Sequence, residues 1–329
     1  MSGAGDLAAR KGEGGASASG SGVDLTAVIE AGLSVPGADD TAAPFLPALT
    51  APKRGVQAVV LYGSALWNAL RGTSNHPDLF VVVDDLHNFQ TGFVDRALGS
   101  MLPPTVYNLR SGGAQAKLCV ITERQLVAET SVAAKDLHSA GRFSKRIALV
   151  WFRDPSARQR IVGAQRAALA SLARLALSRF DGPTVDLDGF LRTLLGLSYE
   201  SEVRIVEPGK IAELFEVERD HYRAVGRALL ATLGVTATDG SGHQFCLTAD
   251  AARWAARPAE LRRRLRRSRR RAFLRWPKYL MTYDGWLDYL LQKLARSGHE
   301  VSLTARQRRH PLIFALPILF QMIRTRRVG

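Results

Sequence analysis

VQAVVLYGSALWNAL (56–70) and DLFVVVDD (78–85) are the two stretches whose order decides the fold. The first reads as a strand over 56–61, a turn at Tyr62-Gly63-Ser64 and a short helix over 65–70. After a loop through residues 72–77, the second reads as a buried strand over 78–83, because a run rich in β-branched residues is stopped abruptly by Asp84-Asp85. Two more strands, 105–109 and 116–122, flank the turn Ser111-Gly112-Gly113. Helical periodicity then takes over, most clearly over 157–178, and continues through 189–195 and 211–233. No internal repeat is visible. The expected class is α+β.

The order strand, Gly-Ser turn, helix, loop, Asp, strand resembles the core of polymerase-β-like nucleotidyltransferases. Its chemistry follows from its parts. Gly63 and Ser64 at a helix start let backbone N–H groups approach a triphosphate, and the helix dipole favours the anion. Asp78, opening the next strand, can hold a Mg²⁺ that bridges the phosphates. That pattern ordinarily places a second carboxylate two residues on, on the same strand face; here the position is Phe80. Asp84 has the right parity but lies about 20 Å along a straight strand. Catalytic metals share ligands across about 4 Å, so the second acid has to come from elsewhere.

Five ordered blocks extend the likeness: PDLFVVVDD (77–85), VYN (106–108), KLCVIT (117–122), AGRFSKRI (140–147) and GLSYESEVRIV (196–206). They resemble the mitochondrial-type phosphatidate cytidylyltransferases, the translocator assembly and maintenance family, over roughly residues 56–230. Members of that family are peripheral membrane enzymes that make CDP-diacylglycerol from CTP and phosphatidic acid with a divalent cation. The resemblance implies a phosphate turn at Gly63-Ser64, a metal acid at Asp78 and a charge-neutralising Lys117. It implies phosphate-binding cations at Arg142, Lys145 and Arg204, and base or ribose contacts at Tyr107 and Asn108. Glu202 stands where the family has Asp, which makes it the candidate second metal carboxylate beside Asp78. Two departures stand out. Ser201 replaces the family's Gly, and LHNFQTGF (86–93) replaces a Trp-His/Asn-rich stretch found in eukaryotic members.

Other groups read more plainly. Asp84-Asp85 ending a strand fits a turn and helix cap. The seven histidines show no ligand spacing, and Ser64 lacks the Gly-x-Ser-x-Gly surroundings of a nucleophile. Cys119 and Cys246 are far apart with no CxxC, which argues against a disulfide scaffold or a cysteine-built zinc site.

The net charge is +15 over 329 residues, and all of the excess lies in residues 257–329, with 19 Lys and Arg against four acids. A polyanionic surface is the implied partner. ELRRRLRRSRRRAFLRW (260–276) places Leu261, Leu265, Ala272 and Trp276 on one helical stripe among arginines, and residues 283–296 suggest a further helix. The apolar stretch 311–323 is shorter than the roughly 20 residues a membrane span needs. An anionic membrane surface is therefore the expected partner of 257–329, and the expected location is cytoplasmic and peripheral on the inner membrane face. Residues 1–22 read as a disordered tail. They have no apolar core for a secretory signal, and Asp6 and Glu13 argue against a transit peptide. The expected division is a nucleotidyltransferase domain over 23–150, a helical domain over 151–250 and a basic region over 251–329. The rival reading is a nucleic-acid-binding protein on a degenerate nucleotidyltransferase fold. A nucleotidyltransferase for another phosphorylated lipid or sugar is a third.

Overall fold

The computed structural model describes residues 24–51, 54–66, 76–90, 92–202, 209–238, 242–282, 287, 291 and 304–310. Arg204, the tail 1–22, nearly all of 283–296 and the apolar stretch 311–323 fall outside the described residues.

The architecture is mixed α+β. Three short helices, α1 (Leu25–Gly32), α2 (Ala38–Ala42) and α3 (Leu46–Leu49), precede the first strand, where the sequence suggested only a Pro-rich lead-in. Proline does not exclude them: one sits in the first turn of α3, where the missing N–H has no helical partner to lose. The strands β1 (Val56–Tyr62), β2 (Asp78–Val83), β3 (Thr105–Ser111), β4 (Ala114–Thr122) and β5 (Ala148–Phe152) form one sheet in the order β3-β4-β2-β1-β5. β2 and β4 run parallel, and the other neighbours are antiparallel. β1 is buried throughout, and every residue of β2 except Asp78 is buried. Such near-continuous apolar runs are what a strand covered on both faces requires. Asp78 therefore stands at the edge of the core.

Helices α4 (Leu86–Phe89) and α5 (Phe93–Met101) lead from β2 to β3. Asp84 and Asp85 are turn and cap residues. The Asp85 carboxylate accepts from the His87 N–H at 2.7 Å as the N-cap of α4, and Asp84 accepts from the Asp85 N–H and Asn88 Nδ2. After β4 come α6 (Glu123–Thr130), closed by a Thr122–Gln125 capping box, and α7 (His138–Phe143).

The central helix is α8 (Pro155–Leu177). Asp154 caps it through the Ala157 N–H at 2.8 Å, and Pro155 occupies the first turn. Its buried face is rich in alanine, which lets α1, α6, α7 and α9 (Leu187–Glu200) approach closely. The expected single helix over 211–233 is two, α10 (Lys210–Val217) and α11 (Arg219–Thr232). The break is at Glu218, which is buried and accepts from Arg146 Nη1 at 3.0 Å. A small sheet of β6 (Thr184–Asp186), β7 (Thr236–Ala237) and β8 (Gln244–Cys246), in the order β6-β8-β7, closes the base of α9.

The basic section begins with α12 (Ala249–Trp254) and α13 (Pro258–Thr282); α14 (Ala305–Arg309) lies beyond. The buried side of α13 differs from the expected stripe. Leu261 and Leu265 do enter the core, but the line continues through Ser268, Arg275, Lys278 and Thr282. Ala272 is half-buried. The reason is polar docking. Asp136, fully buried, accepts from Arg271 Nε at 2.5 Å and Arg275 Nη2 at 2.8 Å. Arg275 also donates to Pro103 O, Lys278 to Leu102 O and Pro104 O, and Thr282 to Val106 O. Leu261 and Leu265 thus face the protein, and the Trp276 side chain lies outside the described residues. Outward, α13 presents Arg262, Arg263, Arg266, Arg267, Arg269 and Arg270, together with Phe273 and Leu274 at 47% and 55% exposure. Among the described residues, no helix is long and apolar enough to cross a membrane.

Candidate active site

Strand register assembles the site. Tyr62 of β1 is the partner of Asp78 of β2, Asp78 is the partner of Lys117 of β4, and Lys117 is the partner of Asn108 of β3. Register partners share a sheet face, so four strands contribute one row: Tyr62, Asp78, Lys117 and Asn108. Lys117 Nζ lies 3.4 Å from Asp78 Oδ1, with side chains 21% and 27% exposed. The Lys117 N–H also donates to Pro77 O at 2.9 Å, which fixes the start of β2 against the middle of β4.

Gly63 turns the chain beside this row. Its φ is +76°, and a Cβ there would sit 3.4 Å from Asp78 Oδ2. The backbone adopts a left-handed conformation that glycine alone takes without cost, and it does so against the carboxylate. Ser64 follows, exposed, at the start of the helical turn that the Leu66 N–H closes onto Gly63 O.

Tyr107 goes the other way. It pairs with Leu118, one residue out of phase with Asn108 and Lys117, so its ring is on the opposite face. There it lies 6.2 Å from the Phe89 ring, and its buried hydroxyl has no hydrogen-bond partner among the described residues. Burial and Asp95 keep that phenol protonated. The structure therefore brings Asn108 to the Asp78 row and keeps Tyr107 from it.

Phe80, two residues after Asp78, is 1% exposed and on the site's face. Its ring packs 5.1 Å from Tyr62 and 5.3 Å, edge-on, from Phe143 of α7. The place where a second carboxylate would stand is thus part of the core. Burying a phenylalanine there contributes about 1.5–3 kcal/mol.

Above this aromatic layer lies Arg142 of α7. Its guanidinium is 5.8 Å from the Tyr62 ring centroid, and Nη1 donates to His138 O at 3.1 Å and Glu202 Oε1 at 2.5 Å. Burial works against its charge, but Glu202, Tyr62 and Cys119 outweigh burial and keep it protonated. The Tyr62 hydroxyl is 3.1 Å from Cys119 Sγ; burial first, then Cys119 and Asp78, hold it well above the usual phenol range. Lys145 extends over the Tyr199 ring with Nζ 4.0 Å from its centroid. Glu202, expected beside Asp78, is thus engaged by Arg142. Asp78 and Arg142 are both neighbours of Tyr62, whose ionisation both affect.

Sequence reading missed Tyr62, Cys119, Phe143 and Tyr199 as parts of this arrangement. Tyr62 directly precedes the Gly63-Ser64 turn and Tyr199 lies in GLSYESEVR, but nothing in the sequence pairs either with a cation.

No family model and no curated protein matches the chain. Among solved structures it is similar to a nucleotidyltransferase-like protein from Exiguobacterium sibiricum 255-15. That likeness has 10% identity and a TM-score of 0.24, and covers 80% of this chain and 92% of the other. It is too distant to bear on the chemistry, which rests on the residues themselves.

Those residues also decide what a metal would find. Among the described residues, no group of three or more His, Cys, Asp or Glu converges. Mg²⁺ commonly binds through one or two carboxylates plus substrate phosphates. Asp78, partly exposed beside an open glycine turn, fits the one-carboxylate form of that arrangement.

Proposed function

We propose that this chain is a nucleotidyltransferase of polymerase-β-like fold that transfers a cytidylyl group from CTP to phosphatidic acid, yielding CDP-diacylglycerol and pyrophosphate. The observation that carries the reading is the Gly63 turn set against Asp78 at the start of β2 and its register partner Lys117 on β4. It joins an approach for phosphate, a hard oxygen donor and a cation within one row.

A phosphate oxygen of phosphatidic acid attacks the α-phosphorus of CTP; the new P–O bond forms as the bond to the bridging oxygen of the β-phosphate breaks. The attacking group is already an anion at neutral pH, so positioning and charge neutralisation do most of the work. Asp78 would hold Mg²⁺, with Glu202 as a second donor only if it leaves Arg142. The ion would offset the repulsion between the two anionic substrates. Lys117, Arg142 and Lys145 neutralise phosphate charge, the exposed hydroxyl of Ser64 and the turn N–H groups bind it, and Asn108 lines the row. The exposed arginines of α13, interspersed with Phe273 and Leu274, fit an anionic lipid surface, as expected for an enzyme whose acceptor is a membrane lipid.

Purified protein incubated with α-labelled CTP, Mg²⁺ and phosphatidic acid vesicles should move label into the organic phase. Label that stays aqueous would refute the acceptor. Co-sedimentation with phosphatidic acid vesicles, against DNA or RNA of equal charge, separates this reading from a nucleic-acid binder.

A further inference from the structure

Arg142 and Lys145 lie one turn apart at the end of α7, and both are gripped by the end of α9. Glu202 holds Arg142 at 2.5 Å, and the Tyr199 ring holds Lys145 at 4.0 Å. The holders are also three residues apart and pair in reverse order, 142 with 202 and 145 with 199. Two helix ends therefore pass each other with matched spacing. Gly141 sets their separation: a Cβ at that position would come 2.9 Å from Ser198 Cβ and 3.1 Å from Ser198 Cα. No side chain fits between the two segments.

Of the two cations, Arg142 faces the row. Arg142 Nη1 is committed to His138 O and Glu202 Oε1, which fixes the guanidinium plane over Tyr62, the register partner of Asp78. The pair is largely shielded, with side chains 14% and 13% exposed. An ion pair in such surroundings is screened less than a surface pair and holds its geometry. Lys145 is a flexible ammonium, and an aromatic face beneath it restricts where that charge can lie.

We infer that Glu202 and Tyr199 are positioning residues, which hold Arg142 over Tyr62 of the Asp78–Lys117 row and Lys145 three residues beyond it to receive the triphosphate, and that Glu202 acts through Arg142 and not as a metal donor. This rests on the nucleotidyltransferase reading above and assigns a different role to Glu202 within it.

Calorimetric titration with CTP, once with Mg²⁺ and once with EDTA, tests the assignment in wild type, Glu202→Gln, Arg142→Lys, their double variant, Tyr199→Phe and Tyr199→Leu. Glu202→Gln should weaken CTP binding about tenfold in both conditions, and less than about twofold further once Arg142→Lys is present. Tyr199→Phe keeps the ring and should bind as wild type, while Tyr199→Leu should lose affinity about threefold or more. Thermal unfolding of each variant registers any effect on folding. A Glu202→Gln defect that needs Mg²⁺, or that persists in full beside Arg142→Lys, would overturn the inference. So would wild-type affinity in Tyr199→Leu. If wild type binds CTP with this pattern but labels no lipid, the acceptor assignment fails and the positioning roles stand. If wild type binds no CTP, both fail.

Discussion

Asp78 and Lys117 are register partners in the parallel β2–β4 pair, with 3.4 Å between Oδ1 and Nζ. The relationship is set by backbone pairing, so the two charges meet without needing a substrate to gather them. Such a preset pair, part-exposed beside the Gly63 turn, is suited to exchanging its internal partner for phosphate and cation.

Replacing Asp78 by Asn should leave the fold nearly unchanged, because a part-exposed ion pair contributes only about 0–1 kcal/mol. Label transfer from CTP into lipid should fall by about two orders of magnitude or more. Denaturant unfolding and the transfer assay, run on the same preparation, check both halves. Wild-type turnover in the variant would remove Asp78 from the chemistry.

Introducing a second strand acid by Phe80→Asp should not raise activity. Phe80 fills the space between Tyr62 and Phe143, and loss of a buried aromatic costs about 3–5 kcal/mol before the buried charge is counted. The expected result is a large drop in the urea midpoint. A stable variant with faster transfer would show that the core tolerates an acid there.

Asp136 should govern how firmly α13 is held, in a pH-dependent way. Burial raises its carboxyl, but Arg275, the His138 N–H and Arg271 outweigh burial and hold it below the usual aspartate range. A carboxylate depressed in the folded state lends stability that is complete above its unfolded pKa of about 3.9 and is lost as pH falls through the lower folded value. Asp136→Asn should therefore be destabilised by about 3–5 kcal/mol at neutral pH, since it leaves Arg275 without its anion and Arg271 with only the Glu129 carboxylate at 3.8 Å. Unfolding midpoints taken down the pH scale should converge with wild type in acid. A gap independent of pH would contradict this origin.

Lys278 should give a slope of the same sign at higher pH. Burial first, then Arg275, push its ammonium down to about 7. Unfolded lysine titrates near about 10.4, so between these values the unfolded chain binds a proton that the folded chain has released. Stability from this group rises with pH across that window. The stability of wild type relative to Lys278→Met should accordingly grow between about pH 6 and about pH 9. Parallel curves for the two proteins would show that Lys278 keeps its proton in the fold.

The strands that build the row were legible because each carries its pattern locally. DLFVVV is bounded by Pro77 and Asp84, and Thr105–Ser111 and Ala114–Thr122 meet at a glycine pair. β5 was not read, because its five residues run almost directly into the Asp154-Pro155 start of α8 and carry no alternation of their own. The strands of β6, β7 and β8 have two or three residues, too few for any period to show. At the site, the missing acid at position 80 was visible but its cause was not, since the packing of Phe80 against Phe143 joins residues far apart in sequence. The same holds for Arg142 and Glu202, 60 positions apart. A lone arginine and a lone glutamate carry no mark of each other, and the docked side of α13 was hidden because its anchors are cations that composition assigns to solvent.

The docking of α13 also bears on how copies of this chain meet. β3 is a terminal strand of the sheet, and such a strand offers unpaired backbone groups to any extended peptide that drifts alongside. Arg275, Lys278 and Thr282 already occupy the carbonyls of Leu102, Pro103, Pro104 and Val106 at the entrance to that strand. The arginine-rich helix thereby acts as a guard rail against edge-to-edge self-association, and a chain in which it had come loose would expose the edge to aggregation.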